Sequence, residues 1–210
     1  MTGPLDIARA YDDVAARYAE HAQQRYTHEP LDRAMVTVLA HTVAGNGPVV
    51  DAGCGPGHLT AHLASLGVDA FGVDLSPQMI ALARTTHPHL RFEVGRMQDL
   101  PVQDAHLAGV VANYSIIHTP PPLLPSVMGE FGRVLAPGGM ALVSFQAHHV
   151  PGQNAEAFDH AVAPAHRYAP DHVAGLLADA GMNEVARLII AAGEDPRRGF
   201  PQAHLLARRQ

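Results

Sequence analysis

Apolar residues fall into two patterns along the 210-residue chain: short continuous runs, and stretches where they recur every three or four positions. The largely apolar runs are Val49-Val50, Val68 to Val73, Leu107 to Ala112, Met140 to Phe145, Val185 to Ile190 and Ala203 to Ala207, and Leu90, Phe92 and Val94 alternate with Arg91 and Glu93. Their length and β-branched content predict seven strands. Helical spacing lies between them. Leu59, Leu63 and Leu66 form one face; Ser76-Pro77 is a start signal for a helix burying Met79 and Ile80 and ending near His87-Pro88. Leu124, Val127, Met128, Phe131, Val134 and Leu135 make the clearest amphipathic helix, closed by A-P-G-G. A last helix covers Asp171 to Ala180, with Val173, Leu176 and Leu177 inward and Gly181 at its end. Ahead of Pro48, Tyr11, Val14, Ala15 and Tyr18 share a helical face, and Leu31, Met35, Val38 and Leu39 begin a second helix.

Strand and helix in alternation predict an α/β fold: a seven-stranded, mostly parallel, doubly wound sheet preceded by a helical cap. Strands one to five are expected to be parallel with right-handed crossovers, each pair separated by a helical segment. Gln146 to Ala169, rich in Pro, Gly, Ala and His, reads as a loop.

Composition narrows the function. A hydrophobic fraction of 47% fits a globular protein with a full core, and the net charge of −6 argues against a nucleic-acid footprint. The late arginines 197, 198, 208 and 209 read as solvated charges. One cysteine, Cys54, excludes an internal disulfide and a zinc cluster. No basic-then-apolar leader and no run near the ~20 apolar residues of a membrane span is present, so a cytoplasmic protein is expected.

The chemistry centres on Pro48 to Asp74, P-V-V-D-A-G-C-G-P-G-H-L-T-A-H-L-A-S-L-G-V-D-A-F-G-V-D. It reads as strand, glycine turn, helix, then a second strand ending on an acid. Glycines in a βα turn let the backbone approach a ligand, and a carboxylate at the next strand's end accepts ribose hydroxyls. A dinucleotide fingerprint is G-x-G-x-x-G, whereas Gly53, Gly55 and Gly57 are spaced G-x-G-x-G behind an acid, Asp51. An acid there suits a cofactor with an ammonium group, which S-adenosylmethionine (SAM) has, better than NAD, the weaker option.

At these residues, V-V-D-A-G-C-G-P-G followed by G-V-D-L-S, the chain resembles the class I SAM-dependent methyltransferases. F-x-R-V-L-x-P-G-G-x-x-x-V-S extends the likeness across roughly residues 48 to 146. The resemblance implies a Rossmann-like sheet of order 3-2-1-4-5-7-6 with strand seven antiparallel. It also implies an N-terminal cap over residues 1–45 and a SAM-binding domain over 46–210, in one compact unit. SAM would be the cofactor and S-adenosylhomocysteine (SAH) the product. It assigns to the cofactor Asp51, Gly53, Cys54, Gly55 and Gly57, then Asp74 with Leu75 and Met79, Asn113 with Tyr114, and Tyr18, Arg33 and Tyr11 from the cap; core packing is an even alternative for Tyr18 and the favoured reading for Tyr11, as a surface charge is for Arg33. Cys54 also reads as a small residue the turn requires. Relatives often place an adenine-binding acid where this chain has Arg96; either Met97 and Gln98 hold the adenine instead, or Asp99 takes the acid's place.

The fourth strand runs into N-Y-S-I-I-H-T-P-P-P, which faces the same crevice. Asn113-Tyr114-Ser115 stands where amino-methylating relatives carry an acid or amide followed by Pro-Pro-aromatic. Metal-dependent O-methyltransferases use an acid there, and Asn113 is a poor replacement, so no metal is expected. His118 is the first candidate for a base, with Tyr114, His148 and His149 beside it as catalytic candidates; structural hydrogen bonding is the competing role for His118. His166, Arg167 and Tyr168 are further candidate contacts in the loop. The expected activity is methyl transfer to an oxygen or nitrogen of a small molecule by a monomer or homodimer. A SAM-binding cyclase or eliminase, or an inactive SAM-binding regulator, stays open.

Overall fold

The structure, a computed structural model, describes residues 4–15, 30–148, 150–193 and 199–210. The N-terminal helices are α1 (Pro4–Asp12) and α2 (Pro30–Val43). Then follow β1 (Val49–Ala52), α3 (His58–Ser65), β2 (Ala70–Asp74), α4 (Pro77–Thr86), β3 (Arg91–Val94), β4 (Leu107–Asn113), α5 (Leu124–Val134) and β5 (Leu135–Gln146). The C-terminal part holds β6 (Ala155–Phe158), β7 (Ala165–Tyr168), α6 (Pro170–Asp179), β8 (Met182–Ile190) and β9 (Gln202–Arg209). No described helix is long and apolar enough to cross a membrane.

The main sheet has the order β3-β2-β1-β4-β5-β9-β8. Strands β1 to β5 pair in parallel, and β9 runs antiparallel to both β5 and β8. Counted within this sheet alone, the order is the expected 3-2-1-4-5-7-6. The labels shift because β6 and β7, which pair antiparallel only with each other, interrupt the segment read as a loop. Their sequences, A-E-A-F and A-H-R-Y, are short and lack the β-branched residues that signal strands.

The parallel strands are apolar because helices cover both faces. One face holds Val50, Val110, Val143 and Phe145 against Val127, Met128 and Phe131 of α5; the other holds Val49, Val111 and Leu142 against Val36 and Leu39 of α2 and Leu59 and Leu63 of α3. Four readings change. Leu31 and Val38 are exposed on α2, whose inward face is Asp32, Val36, Leu39, Ala40 and Val43. Helix α1 ends at Asp12, so Val14 and Ala15 lie beyond it. Strand β5 starts at Leu135, paired to Leu107, and a register irregularity takes up the P-G-G turn before Met140 meets Gly109. Finally, residues 95–106 between β3 and β4 contain no helix. That crossover passes over β2 and β1 to bring β4 beside β1, and does so without a helix.

That connection is held from outside. The Leu100 N–H donates to Glu130 Oε1 at 2.7 Å, and Arg133 bridges Glu130 and Asp104 while donating to the Val102 carbonyl. Both carboxylates push the Arg133 pKa further up. Because β1 has β2 on one side and β4 on the other, the carboxyl ends of these strands diverge and open a crevice between them.

Candidate functional site

The floor of the crevice is the turn after β1. Gly53 and Cys54 both donate their N–H to the Val73 carbonyl, and Gly55 N–H donates to Asp74 Oδ2 at 2.8 Å. Asp74 Oδ1 accepts the Ser76 N–H at 2.8 Å, so one carboxylate ties the glycine turn to the start of α4. Burial raises its pKa, and the N–H donors of Ser76 and Gly55 oppose that shift. Gly53 has φ +80°, and a Cβ there would stand 2.3 Å from Ser115 Cβ. At Gly55, φ +52°, a Cβ would meet nothing within 4 Å, because that side opens to the crevice. At Gly57 a Cβ would strike Phe92 at 2.7 Å.

The crevice encloses about 950 Å³, its open mouth included. One end is lined by Gly53, Gly55, Val73, Asp74, Leu75, Met79, Gly95, Arg96, Met97 and Gln98. Bare glycine backbone, a carboxylate and a soft apolar wall there suit the methionine end, ribose and purine of an S-adenosyl ligand. The rest of the lining, around Tyr11 and His118, includes Tyr114, Thr119, Pro120 and Leu123, together with Ile7 and Ala8 of α1, the helix that also packs on α4. Tyr114, φ +55°, turns its ring edge-on to His204, centroids 6.1 Å apart.

Helix α1 reaches both ends with adjacent residues. The Asp12 carboxylate accepts from Ser76 Oγ and, at 3.1 Å, from the Gln78 N–H, beside the α4 N-terminus where its charge is favoured. Tyr11 Oη lies 2.7 Å from His118 Nε2. His118 Nδ1 lies 3.0 Å from the Pro164 carbonyl, supplied by the β6–β7 hairpin. Burial lowers the His118 pKa; the Pro164 contact opposes this and His166 adds to it. The hairpin is itself pinned: Arg167 stacks on Phe158 and Phe200, pairs with Glu156 at 3.2 Å, and Tyr168 donates to the Thr119 carbonyl.

Of the residues singled out in the sequence, Gly53, Gly55, Asp74, Leu75, Met79, Arg96, Met97, Gln98, Asn113, Tyr114, His118 and Tyr11 all line the crevice. Several do not. Asp51 is buried behind the turn, its carboxylate accepting the Thr60 hydroxyl at 2.7 Å, and desolvation pushes its pKa up to about 7. A direct contact with an ammonium group is therefore not what this geometry provides. Cys54 packs with Ile80, Ala83 and Phe92, and desolvation raises its thiol pKa well above the usual value. Gly57 faces Phe92. Arg33 is exposed and its charge bears on His62 instead. His148 is buried away from the crevice, its Nδ1 accepting the Val150 N–H at 3.2 Å. Asp99 is exposed and its backbone closes a turn onto Arg96. Tyr18 and His149 lie outside the described residues.

Sequence reading gave no site role to Asp12 and Ser115, or to Ser76 beyond starting a helix, though their contacts shape the crevice, and it passed over Asp32, Ser144 and His204. The last three form a buried chain beside Tyr114, with Ser144 Oγ 2.8 Å from His204 Nδ1 and His204 Nε2 3.1 Å from Asp32 Oδ1. Asp12 had a faint signal in the Y-D pair; a histidine inside an apolar strand had none.

A family model described as a methyltransferase domain matches residues 49–139. A malonyl-(acyl-carrier protein) O-methyltransferase of Pectobacterium atrosepticum is 31% identical over 64% of this chain and 50% of its own length. A demethylmenaquinone methyltransferase of Beutenbergia cavernae is 30% identical over 67% of this chain and 58% of its own. The chain thus spans about half the length of such curated relatives. Among solved structures, the 1,6-didemethyltoxoflavin-N1-methyltransferase of Burkholderia thailandensis, with bound 1,6-didemethyltoxoflavin and S-adenosylhomocysteine, superposes with a TM-score of 0.75 at 22% identity. That match covers 100% of this chain and 92% of the other. The glycine turn, the acid closing β2 and the methyltransferase-domain match over 49–139 agree in likening this chain to the class I SAM-dependent methyltransferases.

Proposed function

We propose that this protein transfers a methyl group from SAM to an oxygen or nitrogen of a small molecule. The observation that carries the reading is Asp74: a half-buried carboxylate at the end of β2 that organises Gly55 and Ser76 around one end of the crevice. Each of its oxygens has accepting capacity beyond one backbone N–H, so the ribose hydroxyls have their partner. Gly53 and Gly55 present backbone to the methionine end, and Leu75, Met79, Met97 and Gln98 enclose the adenine. Arg96 stands at the mouth and leaves the adenine to its neighbours. SAM supplies a methyl group already activated on a sulfonium, so the protein's contribution is alignment and the handling of the acceptor's proton. His118 is held neutral by burial and sits at the acceptor end to take that proton. No metal ligand set is invoked. We place the protein in the cytoplasm, acting on a free small molecule.

The fold also occurs in a 4+2 cyclase, with a TM-score of 0.68 at 17% identity, so product analysis has to measure SAH itself. The test is incubation with SAM and panels of small hydroxyl and amino compounds. SAH formed in step with a methylated product is the expected result. A cyclised or eliminated product with no SAH favours the non-methylating reading.

A further inference from the structure

Both ring nitrogens of His118 are engaged. The Pro164 carbonyl can only accept, so Nδ1 carries the ring proton. The neutral ring's single accepting position is then Nε2, and the Tyr11 hydroxyl donates to it at 2.7 Å. An acceptor molecule in the crevice therefore meets Tyr11 before it meets the imidazole. A hydroxyl donates one proton and accepts on its oxygen, which is what a group passing a proton onward requires.

The charged groups of the crevice point to the acceptor's chemistry. Asp74 and Arg96 are the charged side chains among the described lining residues, and both lie at the cofactor end. The rest of the described lining, around Tyr11 and His118, offers Ile7, Ala8, Pro120 and Leu123 with Tyr114, Thr119 and neutral His118. None of these described residues carries a full charge to set against that of a carboxylate, a phosphate or an ammonium. An amine attacks as the free base and has no need of a base in advance, whereas a hydroxyl oxygen becomes an effective nucleophile as its proton leaves.

Resting on the methyltransferase reading, we propose that the acceptor is a neutral hydroxyl compound, a phenol or enol, and that Tyr11 is the catalytic residue that takes its proton and hands its own to His118. The acceptor oxygen gains the methyl carbon as the carbon–sulfur bond of the bound donor breaks, its electron pair staying on sulfur. The acceptor proton passes to Tyr11 Oη and the Tyr11 proton passes to His118 Nε2. The products are a methyl ether, SAH and a protonated His118, which returns its proton to water when the crevice empties. His118 acts through Tyr11, and the Pro164 carbonyl fixes the tautomer that makes this possible. The titratable groups facing His118 are Tyr11 from α1 and His160 and His166 from the hairpin, and no carboxylate is among its described contacts.

The test uses the full chain labelled with ¹⁵N-histidine, with SAH bound, alongside SAM turnover with catechol, hydroquinone, aniline and thiophenol as probes. In the unmodified protein His118 shows a protonated Nδ1 and a bare, hydrogen-bonded Nε2. Tyr11→Phe keeps SAH affinity within about threefold, moves the Nε2 resonance toward that of an unbonded nitrogen and lowers kcat on the hydroxyl probes about 100-fold or more, with KM little changed. His118→Gln abolishes the rise of rate with pH. Wild-type kcat in Tyr11→Phe, an Nε2–H tautomer for His118, an unchanged pH profile in His118→Gln, or transfer confined to aniline or thiophenol each overturns the proposal, as does SAH binding with no transfer to either hydroxyl probe. Failure of the unmodified protein to bind SAH overturns the methyltransferase reading itself.

Discussion

The two ends of the crevice are built in opposite ways. At the cofactor end the parts lie close in sequence and much of the work is done by backbone: Gly55 meets Asp74 nineteen positions on, and the Val73 carbonyl collects the N–H groups of Gly53 and Cys54. At the acceptor end the parts are side chains from remote segments. Tyr11 and His118 are separated by 107 positions, and His118 and Pro164 by 46. A backbone site constrains its sequence to glycines and one acid, and so announces itself. A site assembled from distant side chains constrains only the fold, and leaves no local pattern.

If that contrast is right, the cofactor end should fail through backbone substitutions and the acceptor end through side-chain ones. The largest effect is expected at Gly53→Ala. Its φ of +80° and the 2.3 Å approach to Ser115 Cβ leave no room for a methyl group. Strain and overpacking together should cost about 2–4 kcal/mol, lowering the thermal midpoint by roughly 5–15 °C, with SAH binding lost. Asp74→Ala comes next. Two backbone N–H groups lose their acceptor, but a desolvated carboxylate is removed at the same time, so the protein should stay folded while calorimetry shows SAH affinity down about tenfold or more, roughly 1.4 kcal/mol.

Asp51→Asn should move stability the other way. The folded-state pKa of Asp51 is raised to about 7, so the folded protein holds a proton that the unfolded chain releases near pH 4. Stability from this group is present at acid pH and falls as pH rises between these values. The asparagine removes that slope and still accepts the Thr60 hydroxyl, so the variant should be more stable at pH 8 by on the order of 2 kcal/mol. Denaturant titrations at pH 5 and pH 8 would show it; equal gains at both would contradict the assignment.

The smallest expected effect sharpens the comparison most. Arg167→Ala removes the stack on Phe158 and Phe200 and the Glu156 pair, and should loosen the β6–β7 hairpin by about 1 kcal/mol. Faster hydrogen exchange over 155–168, with SAH affinity unchanged within about twofold, is the expected pattern. A matching loss of SAH affinity would mean that the two ends are not separately built.

The same contrast explains what could be read in the sequence. Strands β1, β2, β4 and β5 are buried and parallel, so hydrophobicity alone marked them, alternation marked the more exposed β3, and Ser76-Pro77 marked α4 by capping chemistry that the structure shows: Ser76 Oγ accepts the Met79 N–H at 3.0 Å. The β6–β7 hairpin stayed hidden because its stability comes from Arg167 between two rings and from Tyr168 reaching Thr119, contacts that no period reveals. His118 was picked out by its place after β4. His148 followed β5 in the same way, yet its ring is turned to the Val150 N–H and away from the crevice. Position after a strand names candidates, and only the packing of later segments separates them.

The glycine turn and Asp74 are the proposed seat of an S-adenosyl cofactor. Isothermal titration of the protein with SAM, SAH and NAD, repeated on Asp74→Ala, tests it most directly. Micromolar binding of SAM and SAH that weakens in the variant, with none for NAD, is the predicted result. Binding of NAD, or no loss of SAH affinity in Asp74→Ala, would contradict it.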